Sequence, residues 1–111
     1  MKLETKQIIE NILLWMTGSK NTNRLVATIG ANKLAFDQRK ESETSFIFNF
    51  KGCRKYNRCF VTYDAVKDLY NLKLFKLNMK TFEFVEAKFD GIFGDQLKEI
   101  FEQETKLYLS L

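Results

Sequence analysis

Between residues 44 and 87 this sequence alternates apolar and polar side chains in short runs, while on either side apolar residues recur at intervals of three and four. A period of two belongs to strands with one buried face, and a period near 3.6 to amphipathic helices. Residues 44–50 set Phe46, Phe48 and Phe50 on one face and Ile47 and Asn49 on the other. Residues 58–63 oppose Cys59 and Val61 to Phe60 and Thr62. Residues 70–77 and 80–87 continue the pattern with Leu72/Leu74 and Phe82/Phe84, joined near Asn78. A turn or a single helical turn is expected at 64–68. At the start, Ile8, Ile9, Ile12, Leu13, Trp15 and Met16 predict a helix over 5–16, which Gly18 stops. At the end, Leu97, Ile100, Phe101 and Tyr108 predict a helix over 94–108, with Asp95 near its positive N-terminal end. Residues 24–29 and 33–36, around Gly30-Ala31-Asn32, predict a β-hairpin, and 38–43 a polar loop. The expected fold is α+β: N-terminal helix, antiparallel β-meander of five to six strands, C-terminal helix, with both helices packed on one sheet face.

At 111 residues, 45% of them hydrophobic, the chain suits one core and one domain over 1–111. It has no histidine, which removes Ser-His-Asp and Cys-His nucleophile activation, histidine acid/base chemistry and nearly all catalytic zinc sites. It also has no proline. Cys53 and Cys59 fit neither a CxxC redox pair nor a zinc knuckle and read as reduced thiols. The five glycines form no dinucleotide-binding fingerprint and no phosphate-binding loop. A non-enzymatic protein without metal or cofactor is therefore expected. No run of about 18 apolar residues exists to span a membrane, and Glu4 interrupts any secretory leader, so a soluble cytoplasmic protein is expected.

Charge is uneven. Residues 1–80 carry fifteen Lys and Arg against seven Asp and Glu, and residues 81–111 carry three against seven. Such asymmetry points to a basic face for an anionic partner and an acidic final helix, although a fold can also bring the two halves together and cancel them. The densest cationic segment is Lys51-Gly52-Cys53-Arg54-Lys55-Tyr56-Asn57-Arg58, four cations and no acid around one tyrosine. Lys51, Arg54, Lys55 and Arg58 can neutralise phosphates while Tyr56 stacks on a base, the grip used on single strands. The same residues also suit a solvated turn or an acidic protein surface. Lys67, Lys73, Lys76 and Lys80 extend the patch only in part, because Lys73 and Lys76 point to opposite faces of a strand. Phe46 and Phe48 have the placing of RNA-binding sheet aromatics but lack the accompanying glycine-aromatic consensus, so core packing is the expectation. On the last helix Asp95, Glu99 and Glu102 fall at helical spacing, as a solvated face or a second, acidic binding surface.

The ending Asp95-Gln96-Leu97 … Phe101 … Thr105-Lys106-Leu107-Tyr108-Leu109-Ser110-Leu111 resembles the D-x-L-x-x-x-F-x-x-x-T-G-L-Y-x-x-L ending of a family of small bacteriophage and prophage proteins, with Lys106 where that pattern has glycine. Phe60-Val61-Thr62-Tyr63-Asp64 and Asp68-Leu69-Tyr70-Asn71-Leu72 are similar to its central stretch. The resemblance transfers no site residue. It implies a phage-derived binding protein that docks on a bacterial host protein or ribonucleoprotein, as an anti-defence inhibitor of the anti-CRISPR type would. The alternative is an RNA- or DNA-binding module using the basic turn 51–58. A homodimer formed by strand addition at a sheet edge is a third expectation.

Overall fold

Phe46, Phe48 and Phe50 leave water on the same side of the chain, and their burial organises the fold around them. A computed structural model describes residues 5–40, 43–77 and 80–109. In chain order the elements are α1 (Thr5–Thr17), α2 (Asn23–Ile29), β1 (Asn32–Lys40), β2 (Glu43–Asn49), β3 (Arg58–Asp64), β4 (Leu69–Leu77), β5 (Phe84–Ile92), a 3-10 turn (Gly94–Gln96) and α3 (Leu97–Thr105). The strands form one antiparallel meander whose spatial order is the chain order. The fold is α+β, with the N-terminal helices and α3 against the sheet and α3 packing on α1. No helix among the described residues is long and apolar enough to cross a membrane.

The core lies on one side of the sheet. β2, β3 and β4 contribute Phe46, Phe48, Cys59, Val61, Leu72 and Leu74, and the helices cover them with Ile8, Ile12, Leu13, Met16, Leu97 and Phe101. Phe48 and Phe101 meet at 6.3 Å between ring centroids, and Phe50 and Phe101 edge-on at 5.2 Å. Trp15, which the spacing placed on the apolar stripe of the first helix, is instead 48% exposed at its margin.

Three expectations about the strands fail for physical reasons. Residues 24–29 are not a strand but the helix α2, and the β-hairpin around Gly30 does not form. Leu25 and Ile29, four apart, are both buried, and Gly30 closes the helix in the left-handed region at φ 63° with its N–H on the Val26 carbonyl. A short β-branched apolar run cannot be assigned by propensity when i,i+4 burial is available to it. Backbone pairing also carries β1 and β2 into the polar residues around 38–43, through Asp37↔Ser45 and Lys40↔Glu43, because ladder hydrogen bonds need no apolar side chain. The fifth strand begins at Phe84 rather than at residue 80, so Phe82 is an exposed residue at φ 57° and the core-facing residues of β5 are Ala87, Phe89 and Ile92, opposite Leu74, Leu72 and Tyr70. The junction near Asn78 lies outside the described residues.

The last helix ends at Thr105, before the expected Tyr108. Lys106 turns left-handed at φ 61°, and its N–H meets the Glu102 carbonyl. The chain then folds back to bury Leu109, whose N–H donates to Glu102 Oε2 at 2.7 Å, and Tyr108 is left exposed. An L-residue with a Cβ is strained in that conformation and glycine is not. Lys106→Gly is expected to raise unfolding stability by roughly 0.5–1 kcal/mol, read as an increase in the urea midpoint at unchanged slope.

Candidate functional site

On the side of the sheet away from the helices none of the described side chains is buried. Strand pairing brings together on it Ser45, Ile47 and Asn49 of β2, Arg58, Phe60 and Thr62 of β3, Asn71, Lys73 and Phe75 of β4, and Phe84, Glu86 and Lys88 of β5. Ile47, Phe60 and Phe75 are half-buried and Phe84 is exposed. The meander therefore has a packed face and an open one, and the open one is rich in aromatics. Phe60 and Phe75 lie 5.3 Å apart and Phe75 and Phe84 5.5 Å apart, an aromatic row crossing three strands.

Cations flank the row. The Arg58 guanidinium is 5.5 Å from the Phe60 ring centre and 5.7 Å from that of Phe75, and the Lys73 ammonium is 5.8 and 5.6 Å from the same two. Each such contact contributes on the order of 0.5–1 kcal/mol at an exposed site. Glu86 is shared between Lys73 at 3.6 Å and Lys88 at 3.2 Å. Among the described residues no carboxylate pairs with Arg58. At the opposite end of the face, Asp37 and Glu43 line a hollow with Phe60 and Lys73, so the positive end is the one at Arg58.

The basic segment 51–58 adjoins that positive end, and the structure divides its residues. Lys51, Arg54, Lys55 and Arg58 are exposed, whereas Tyr56 is 2% exposed and belongs to the core, so it is not free to stack on a base. The segment is an anchored connection rather than a loose hairpin tip. The Lys51 N–H donates to the Ile29 carbonyl at 2.9 Å and the Asn57 N–H to the Phe75 carbonyl at 3.1 Å. Lys76 Nζ donates to the Arg54 carbonyl at 3.0 Å. Tyr56 thus fixes the connection from inside and receives Lys55 at 5.4 Å over its ring, while Arg58 passes the charge to the sheet. The aromatic platform is supplied by Phe60 and Phe75, which the charge run alone does not reveal; its signal was the parity that sets Phe60 opposite to buried Cys59 and Val61.

The acidic residues of the last helix are dispersed. Asp95 and Glu99 are exposed, and Glu102 is engaged by the Leu109 N–H. Cys53 and Cys59 are both free thiols, and burial pushes the Cys59 thiol well up, so it stays protonated. Among the described residues no three His, Cys, Asp or Glu side chains gather as a metal site.

A second concave feature, of about 430 Å³, opens where α1 passes the loop ends of the sheet. Tyr63 donates its hydroxyl to Asp68 Oδ1 at 2.6 Å. This bond, with burial and the carboxylate charge behind it, pushes the Tyr63 phenol up to about 12. Burial also raises Tyr70, partly offset by a side-chain hydrogen bond with Trp15.

No protein-family model, curated protein or solved structure matches the chain.

Proposed function

We propose that this chain is a non-enzymatic binding module that grips a single-stranded nucleic acid across its open sheet face, with the basic connection 51–58 holding the phosphates. The observation that carries the reading is the placing of Arg58 over Phe60 and Phe75, which joins the cationic connection to an aromatic row. Bases present a π-face irrespective of sequence, so a row of half-exposed phenylalanines offers stacking, and Lys51, Arg54, Lys55 and Arg58 offer counterion release. A duplex hides its base faces and gains only the second of these. Set beside the resemblance to phage proteins, the reading extends to a phage-derived module that docks on the exposed RNA of a bacterial ribonucleoprotein, where occupying that RNA would serve an anti-defence role.

The test is fluorescence anisotropy with a labelled single-stranded oligonucleotide and the matching duplex. The single strand is expected to bind at least about tenfold more tightly than the duplex, one stacked base being worth about 1–3 kcal/mol. Its affinity should fall steeply with salt, with a log–log slope of roughly −0.7 for each phosphate neutralised. Equal affinity for the duplex, or no binding at low salt, would overturn the reading.

A further inference from the structure

The cleft beside α1 is built from separate parts of the chain. Trp15 comes from α1, Tyr63 from β3, Tyr70 from β4 and Phe93 from the residue after β5, while Asp68 lies on the β3–β4 turn and Asp95 in the 3-10 turn. Four aromatic side chains and two carboxylates line it, and among the described residues no lysine or arginine does, in a chain whose formal net charge is +4.

The walls are held in place. Tyr63 and Tyr70 pack against each other at 5.1 Å between ring centroids, tilted by 47°, and form the buried floor, and the Tyr63 hydroxyl is tied to Asp68. The Trp15 indole rests directly on Gly94, where a Cβ would collide with the ring nitrogen. Trp15 and Phe93 nonetheless keep large exposed surfaces at the rim. The Asp68 side chain is exposed and its Oδ1 serves Tyr63, which leaves Oδ2 for a guest.

This lining selects by charge and by shape. Aromatic faces are negative and attract a cation within about 6 Å of the ring centre, and carboxylates at the rim neutralise it. A bare metal ion needs several oxygen ligands converging at short range, which two carboxylates among four aromatic rings do not provide. A cation with an apolar skirt satisfies both the rings and the acids. A volume of about 430 Å³ admits such a head group and a few carbons of its stem. We propose that this cleft binds an organic cation, an alkylated ammonium or a guanidinium group, over Trp15, Tyr63, Tyr70 and Phe93, with Asp68 and Asp95 as its counter-charges. The site is separate from the open sheet face and does not depend on what that face binds.

Trp15 is the only tryptophan, so the fluorescence reports on the surroundings of this one side chain at the rim of the cleft. The full chain is titrated with choline, with a Gly-Arg-Gly peptide, and with 3,3-dimethylbutan-1-ol, the uncharged isostere of choline. The first two arms distinguish a free small cation from the side chain of a partner protein. At least one of the two cations is expected to give a saturable change at millimolar concentration and to bind about tenfold or more tightly than the alcohol. Asp68→Asn is expected to weaken it by about tenfold. Because Asp68 also holds Tyr63, Asp95→Asn is measured beside it; Asp95 is exposed, its loss leaves the packing intact, and its effect should be in the same direction. Absence of saturation with both cations, equal binding of the alcohol, or unchanged affinity in Asp95→Asn and in a folded Asp68→Asn would overturn the proposal.

Discussion

Replacing Phe60 and Phe75 together by alanine is expected to weaken single-strand binding by at least about thirtyfold, two stacked bases being worth about 2–6 kcal/mol in all. The two rings lie 5.3 Å apart on adjacent strands, so one nucleotide step can cover both, and Arg58 and Lys73 stand over the same pair. Both are half-buried and outside the core, so the variant should still fold, losing on the order of 1–2 kcal/mol from cross-strand packing. The salt dependence separates their role from that of the cations. Arg54→Ala with Lys55→Ala should weaken binding and flatten the log–log slope by about 0.7 for each phosphate that is no longer neutralised. The phenylalanine variant should instead lower the affinity at every salt concentration and leave the slope unchanged. Unaltered affinity in a folded Phe60→Ala/Phe75→Ala chain would remove the sheet face from the binding reaction.

How much of this was legible in the sequence depends on whether a feature is local. The alternation in β2, β3 and β4 could be read because large apolar residues occupy one parity and polar or cationic ones intrude on the other. α2 could not, since Leu25, Val26 and Ile29 suit either a strand or one helical turn, and only the space beneath the sheet decides. β5 was displaced because Phe82 and Phe84 look like a core pair, whereas the register with β4 gives that place to Ala87 and Phe89. The basic connection was visible as a run of charge, but Tyr56 and Arg58, two residues apart, have opposite fates that follow from burial. Phe75 and Phe84 joined Phe60 only once the register was fixed at Arg58↔Phe75 and Phe75↔Glu86. The cleft was hidden for the same reason, its lining being drawn from residue 15 at one end of the chain to residue 95 near the other.

Phe48→Ala is expected to destabilise the fold by about 3–5 kcal/mol, the range for deleting a buried phenyl ring. Against the 5–15 kcal/mol typical of a whole domain, that is enough to leave much of the chain unfolded at modest denaturant. Phe48 is 0% exposed and its ring lies 5.4 Å from Phe46 and 6.3 Å from both Phe50 and Phe101, so its loss opens a cavity between β2 and α3 that neither can readily fill. Phe60 supplies the internal comparison. It is the same residue type, in the neighbouring strand and one residue from the partner of Phe48, but on the opposite side of the sheet. Phe60→Ala removes the same atoms without leaving an enclosed void, and its cost in urea unfolding should be about 1 kcal/mol. The difference between the two midpoints therefore measures how unequal the two faces are. A Phe60→Ala cost equal to that of Phe48→Ala, and rising with protein concentration, would mean that a second copy of the chain covers the open face in solution; such a dimer would have to separate before that face could take a nucleic acid.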